Sequence, residues 1–143
     1  MAYPILSPNG CGLSPDGKTL YVADTEGGRL WAFEVQGPGK LKPERELTPH
    51  SGWVVAGLSG NARFDSLKVM ASGNIAVATL NTGYITEISP AGDIVRGVKM
   101  PDRYPTNICF GGADMRTAYI TLSDSGQLGV MQWPGPGLKL NFN

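Results

Sequence analysis

The chain has 143 residues, enough for one domain with a hydrophobic core and too few for two. Its 12 basic and 12 acidic side chains cancel, so the composition favours neither a nucleic-acid partner nor a membrane surface. Gly (20) and Pro (11) are frequent while the apolar fraction is an ordinary 41%, which indicates many turns between short strands rather than disorder.

The start of the chain has neither the basic nor the apolar region of a signal peptide, and no apolar run is long enough to span a membrane. We therefore expect a soluble, cytoplasmic protein. Cys11 and Cys109 lie far apart in the sequence, which argues against a disulfide framework and a CxxC metal site. We expect two buried, reduced thiols.

In chain order, one unit occurs three times, at residues 9–24, 65–79 and 107–121. Each copy begins with a polar residue and a short apolar strand, passes through a turn-forming triplet and continues into a second apolar strand. Two positions of the unit, +8 and +12, are occupied by Gly17, Gly73 and Met115 and by Tyr21, Val77 and Tyr119. The copies start 56 and 42 residues apart, which brackets the roughly 40–50 residues of a propeller blade.

Each copy continues through a Gly-containing turn into a third strand, with apolar and polar residues alternating clearly in 29–35 and 84–89. Fourth strands are expected at 44–47 and 93–98, and 49–62 is expected to be a connecting loop. No window has a sustained helical period. The sequence therefore predicts an all-β chain, a β-propeller with three four-stranded blades at about 5–48, 63–100 and 105–143, forming one partial domain over 1–143.

Three blades do not close a ring, because propellers usually have four to eight. Open sheet edges and apolar faces would remain exposed. Two explanations follow: the chain is part of a longer protein, which we favour, or two chains associate as a homodimer that completes a six-bladed ring.

The shared register places Asn9, Asp65 and Asn107 at one equivalent position before the innermost strands. Rotational symmetry would bring their oxygens toward one axis, and two amides with a carboxylate suit Ca²⁺ or another divalent cation. Structural interpretations stay open, since Asn9 begins a turn dipeptide, Asp65 can cap a turn and Asn107 can hold a backbone group.

Other types of site are absent from the sequence. His50 is the only histidine and is expected to lie at the surface, so no zinc cluster is formed. There is no GxSxG elbow, Walker A loop or GxGxxG motif. Asp24 ends a strand, and we expect it to bind backbone groups rather than to catalyse a reaction.

Several segments resemble the gluconolactonase/regucalcin (senescence-marker-protein) family. They are SPNG at 7–10, LSPDGKTLYVAD at 13–24, TNICFGG at 106–112, TAYIT at 117–121 and PGLKLNF at 136–142. The resemblance covers almost the whole chain and corresponds to the later half of a family protein. It implies a six-bladed propeller with one divalent cation, usually Ca²⁺, in the central channel.

The resemblance further implies metal-assisted hydrolysis of a lactone, with Asn9 as a metal ligand and Asp65 as both a ligand and the catalytic base. The glutamate ligand from the family's first blade has no counterpart here, and Ser66 stands where many members have glycine. Asn107 is a further candidate ligand or substrate contact on register alone. The alternative is a non-catalytic half-propeller that serves as an interaction module, and a truncated product without function is a third interpretation.

Overall fold

The computed structural model describes residues 5–43 and 51–140, and within these ranges the chain is all β, with twelve strands and no helix. The all-β prediction is therefore confirmed for the described residues. The strands are β1 Pro8–Leu13, β2 Thr19–Asp24, β3 Arg29–Gly37, β4 Lys40–Leu41, β5 Trp53–Gly57, β6 Arg63–Val69, β7 Ile75–Leu80, β8 Tyr84–Ile88, β9 Ile94–Lys99, β10 Pro105–Gly111, β11 Thr117–Leu122 and β12 Gln127–Gln132.

The strands form three antiparallel sheets. Sheet I has the order β1-β2-β3-β5, with the short β4 also paired to β3, sheet II has the order β6-β7-β8-β9, and sheet III has the order β10-β11-β12. Neighbouring strands in each sheet are consecutive or nearly so in the sequence, as short turns require. The first hairpin of every sheet closes with a residue at positive φ: Gly17 (70°), Gly73 (90°) and Met115 (57°).

The core consists of two layers, one on each face of sheet II. The layer between sheets I and II contains mainly Tyr21, Ala23, Leu30, Ala32, Phe64, Leu67, Val69, Ile75, Val77 and Ile88. The layer between sheets II and III contains mainly Met70, Ala76, Ala78, Ile85, Ile108, Phe110, Ala118, Ile120, Leu122 and Trp133. Because both faces of sheet II are covered, β7 is buried along nearly its whole length, whereas β11 in sheet III alternates between buried and exposed residues.

The fourth strand predicted for sheet II is present, whereas sheet I has a fourth strand that was not predicted. Strand β9 confirms the strand expected at 93–98. Sheet I instead pairs β3 with Trp53–Gly57, inside the segment interpreted as a connecting loop, so that interpretation was wrong. The strand expected at 44–47 and the side chain of His50 lie outside the described residues, and sheet III has three strands within them.

The expectation of two buried thiols was also wrong, because Cys11 and Cys109 are both exposed and unbonded to each other. Each lies on the face of its sheet that points away from sheet II, and no other sheet of the described ranges packs on that face. Within the described residues, no helix is long and apolar enough to cross a membrane.

Candidate metal centre

The candidate site lies where the innermost strands of sheets I and II run side by side. Gly10 makes this approach possible: a Cβ atom on it would lie 2.5 Å from the Leu67 backbone nitrogen and 2.7 Å from the Ser66 Cα. Only glycine allows two backbones so close. The neighbouring residue, Asn9, is thereby placed against β6.

A β-bulge interrupts each of the two strands at the same place. In β1 the bulge falls between Pro8 and Cys11, and in β6 it falls between Phe64 and Leu67. Asn9 and Asp65 are the first residues within the two bulges, so the predicted equivalence of these two positions is confirmed. Bulges redirect side chains, and here the Asn9 side chain lies close enough to the Asp65 carboxyl to lower its pKa.

Asp65 is a partly buried carboxylate with an altered acidity. Its removal from water raises the pKa of this carboxyl above the usual value, and the Asn9 side chain opposes that rise only in part. Burial without a compensating charge disfavours the ionised form. A cation bound beside Asp65 would relieve this cost.

Asn107 does not occupy the equivalent position in the third sheet. The bulge in β10 falls between Pro105 and Asn107, so the residue matching Asn9 and Asp65 is Thr106. The Asn107 Oδ1 accepts a hydrogen bond from the Ile108 N–H at 2.9 Å, and the Thr106 and Thr121 hydroxyl oxygens lie 2.8 Å apart. The bulges do not line up because β10 has five paired residues between its bulge and its turn, whereas β1 and β6 have three each. Asn107 as a metal ligand stays a prediction.

Three polar side chains fix the segments that lead into the innermost strands. Asp24 accepts hydrogen bonds from the N–H groups of Ser7 at 2.8 Å and Gly27 at 3.1 Å, which confirms its expected backbone-binding role. In sheet II the Asn81 side-chain amide donates to the Asn61 carbonyl at 2.6 Å. Asn81 is thus the counterpart of Asp24 near the β7–β8 turn.

Asp102 is the corresponding side chain in sheet III, and sequence inspection missed it. It accepts hydrogen bonds from the Tyr104 N–H at 2.6 Å and from the N–H and hydroxyl of Ser125 at 2.8 and 2.7 Å. Burial by itself would raise the pKa of this carboxyl, but the hydrogen bonds from Ser125, Tyr104 and Asp124 outweigh burial and lower it. Asp102 is therefore a structural anion.

The donors at the site suit a hard cation as a partial ligand set. Ca²⁺ takes about six to eight oxygen ligands, and Asn9 and Asp65 offer an amide oxygen and a carboxylate side by side. The described part of the chain contains no group of three or more His, Cys, Asp or Glu side chains arranged around one point. Further ligands would have to be water, substrate or groups from outside these residues.

Comparison with known proteins shows which protein family this chain belongs to. Residues 1–124 match the family model described as the SMP-30/gluconolactonase/LRE-like region. The chain belongs to this family. Among curated relatives, 6-deoxy-6-sulfogluconolactonase of Pseudomonas putida is 32% identical over 142 residues, which cover 96% of this chain and 46% of that protein.

One further curated relative and one solved structure are similar to this chain, and the solved structure supports the fold. Regucalcin of Xenopus laevis is 31% identical over 119 residues, covering 82% of this chain and 38% of regucalcin. A solved structure described as a calcium-binding protein, regucalcin, from Agrobacterium tumefaciens superposes with a TM-score of 0.72 at 22% identity, covering 94% of this chain and 50% of that one. The chain thus spans less than half the length of the curated relatives that it matches.

Proposed function

We propose that this chain contributes the Asn9–Asp65 pair to the active site of a divalent-cation-dependent lactonase of the gluconolactonase type. The observation that supports the proposal is the close approach of β1 to β6 at Gly10, where matching bulges carry Asn9 and a partly desolvated Asp65. The substrate class follows from the relatives, one of which is named as a sulfogluconolactonase. Sugar-acid lactones are therefore the first substrates to test.

Asn9 and Asp65 would hold the cation through their side-chain oxygens, and Ca²⁺ is our first candidate. A cation bound there supplies a Lewis acid for the lactone carbonyl. The amide of Asn9 can serve as a neutral ligand, and its side chain also favours the ionised form of Asp65, since it lowers the pKa of that carboxyl. Any remaining ligands of the cation would be water, substrate or groups from outside the described residues.

Asp65 would act as the general base. Its pKa is raised by burial, which makes the carboxylate a stronger base at the operating pH. The attacking water gives its proton to Asp65 as its oxygen bonds to the carbonyl carbon. The ring C–O bond then breaks, and the proton passes to the leaving alkoxide oxygen, which yields the open hydroxy acid.

The second candidate is a non-catalytic interaction module built from the same sheets. Two observations favour it: the chain spans 46% of its sulfogluconolactonase relative, and the described residues contain no three-membered cluster of metal-binding side chains. On this alternative the chain binds no cation and hydrolyses no lactone while remaining folded.

A calcium titration and a lactone hydrolysis assay on the same preparation separate the two candidates. We expect calorimetric Ca²⁺ binding and proton release from glucono-δ-lactone in a pH-stat, both lost in Asp65→Asn. Asp124→Asn is the matched control, because Asp124 is an exposed carboxylate whose ion-pair partner Arg103 lies 4.0 Å away. A folded wild-type chain with neither binding nor turnover supports the interaction module instead.

A further inference from the structure

The three sheets pack through two kinds of face. We call the face toward the next sheet in the sequence the leading face and the face toward the preceding sheet the trailing face. Both contacts inside the chain join a leading face to a trailing face, sheet I to sheet II and sheet II to sheet III. In residues 5–43 and 51–140, no other sheet packs on the trailing face of sheet I or on the leading face of sheet III.

The leading face of sheet III has the composition of a buried surface. It is formed by cross-strand neighbours, and within the described residues none of them is charged: Asn107, Cys109, Gly111, Thr117, Tyr119, Thr121, Leu128, Val130 and Gln132. Leu128 and Val130 are nevertheless 63% and 59% exposed. Adjacent exposed apolar side chains of this kind mark an interaction surface.

The trailing face of sheet I is partly covered by the chain itself, because Val22 and Phe33 on it are 7% and 0% exposed and Gly52 packs against the Phe33 ring. Its open part includes apolar side chains. Leu13 and Val54 lie on it and are 48% and 45% exposed, and the Cys11 thiol lies on the same face. A depression of about 760 Å³ lies along the hairpin ends of sheet I, with Leu13, Leu20 and Val35 in its wall. Within the described residues, the leading face of sheet III and part of the trailing face of sheet I are therefore open, and these are the two kinds of face that meet in both sheet-to-sheet contacts.

We propose that a second copy of this chain covers both faces. The leading face of sheet III in each copy packs on the trailing face of sheet I in the other, and the two contacts close a ring of two chains. Length supports this occupant, because one copy fills 50% of the regucalcin structure that it superposes on. A head-to-tail contact closes a ring only when the rotations add to a full turn, and otherwise it forms filaments.

The test measures the mass of the untagged chain in solution by analytical ultracentrifugation over a wide concentration range. We expect twice the 15.2 kDa of one chain, falling to one chain only on strong dilution. Val130→Lys places a charge in the contact and should weaken dimerisation at least tenfold, because a buried unpaired charge is costly. Val54→Lys, on the opposite face, should have the same effect.

Val95→Lys is the matched control, since Val95 is a 49% exposed valine on the outer strand of sheet II and lies on neither of the two faces. It should leave the dimer intact, and circular dichroism verifies that all variants keep their β-sheet signal. A folded wild-type monomer at every concentration, open-ended polymers, or equal disruption by Val95→Lys would each overturn the proposal. The measurement needs neither cation nor lactone, so its outcome is independent of the proposed activity.

Discussion

Asp65 is held partly out of water with the Asn9 side chain beside it. Because its pKa is raised in the folded chain, the folded state binds this proton more tightly than the unfolded state does. The resulting stability is fully present below the unfolded value of about 3.9 and is lost as the pH rises through the folded pKa. At neutral pH the ionised carboxylate therefore lowers the free energy of unfolding.

The first prediction follows from this destabilising effect of the ionised Asp65 carboxylate at neutral pH. Without added cation, Asp65→Asn should be more stable than the wild type at neutral pH, by less than about 1 kcal/mol because a half-exposed group is screened by water. The difference should disappear below about pH 3.9. Urea unfolding at several pH values measures it, and a carboxyl ¹³C titration gives the pKa of Asp65 directly. A normal or lowered pKa would contradict the prediction.

The second prediction concerns Asp24, which is 3% exposed and joins the segment before β1 to the β2–β3 turn. Asp24→Ala removes the acceptor for the Ser7 and Gly27 N–H groups and should lower the free energy of unfolding by about 2–3 kcal/mol. Asp16→Ala in the exposed β1–β2 hairpin is the control and should cost much less. Equal losses in urea unfolding would show that Asp24 is not a structural clamp.

At the level of strands, the third prediction tests the close approach of β1 to β6. Gly10→Ala places a methyl group against the backbone of Ser66 and Leu67, so one strand must move. We expect a loss of about 1–3 kcal/mol in unfolding free energy and a changed pKa of Asp65, because the Asn9 side chain is displaced.

Gly37→Ala is the control for this strand contact, since a Cβ at Gly37 would meet no atom within 4 Å. It should change the unfolding free energy by less than about 0.5 kcal/mol. If Gly10→Ala changes the stability but leaves the pKa of Asp65 unaltered, the strand contact does not position Asn9.

The strands also show which features of the fold could be predicted from the sequence. Turn chemistry was informative: Gly17 and Gly73 close equivalent hairpins, and Met115 takes the same left-handed backbone despite its side chain. The positions of the β-bulges could not be predicted from the sequence, because an inserted residue such as the one in β10 changes strand pairing without changing composition. The sequence therefore predicted the shared bulge position of Asn9 and Asp65 but assigned Asn107 to it in place of Thr106, and the roles of all three predicted residues stay predictions.

The remaining errors came from contacts between distant parts of the chain. Strand β5 pairs with β3 across more than twenty residues, and no local pattern in 53–57 distinguishes that strand from a loop. The exposure of Cys109 depends on whether another sheet covers sheet III, which its apolar neighbours in the sequence do not reveal. Local signals predicted strand type and spacing, whereas long-range pairing and burial required the structure.

At the scale of the whole molecule, the candidate site joins two of the three sheets. Asn9 belongs to sheet I and Asp65 to sheet II, and beneath them lies the apolar layer that contains Leu67 and Ala23. A ligand bound by both residues can be held only when the two sheets are packed. Cation binding should therefore stabilise the folded chain as a unit, since the unfolded chain separates the two ligands.

The fourth prediction is a rise in melting temperature on addition of Ca²⁺. At a free cation concentration one hundred times the dissociation constant, linkage gives about 2.7 kcal/mol, or roughly 8 °C for a chain of this size. Chelation should reverse the rise, which differential scanning calorimetry can follow. Asp65→Asn should abolish the rise and Asp124→Asn should retain it, because only Asp65 lies at the contact between the sheets. An equal rise in both variants would place the cation elsewhere on the molecule, and the Asn9–Asp65 pair would then lose its assignment as the metal centre.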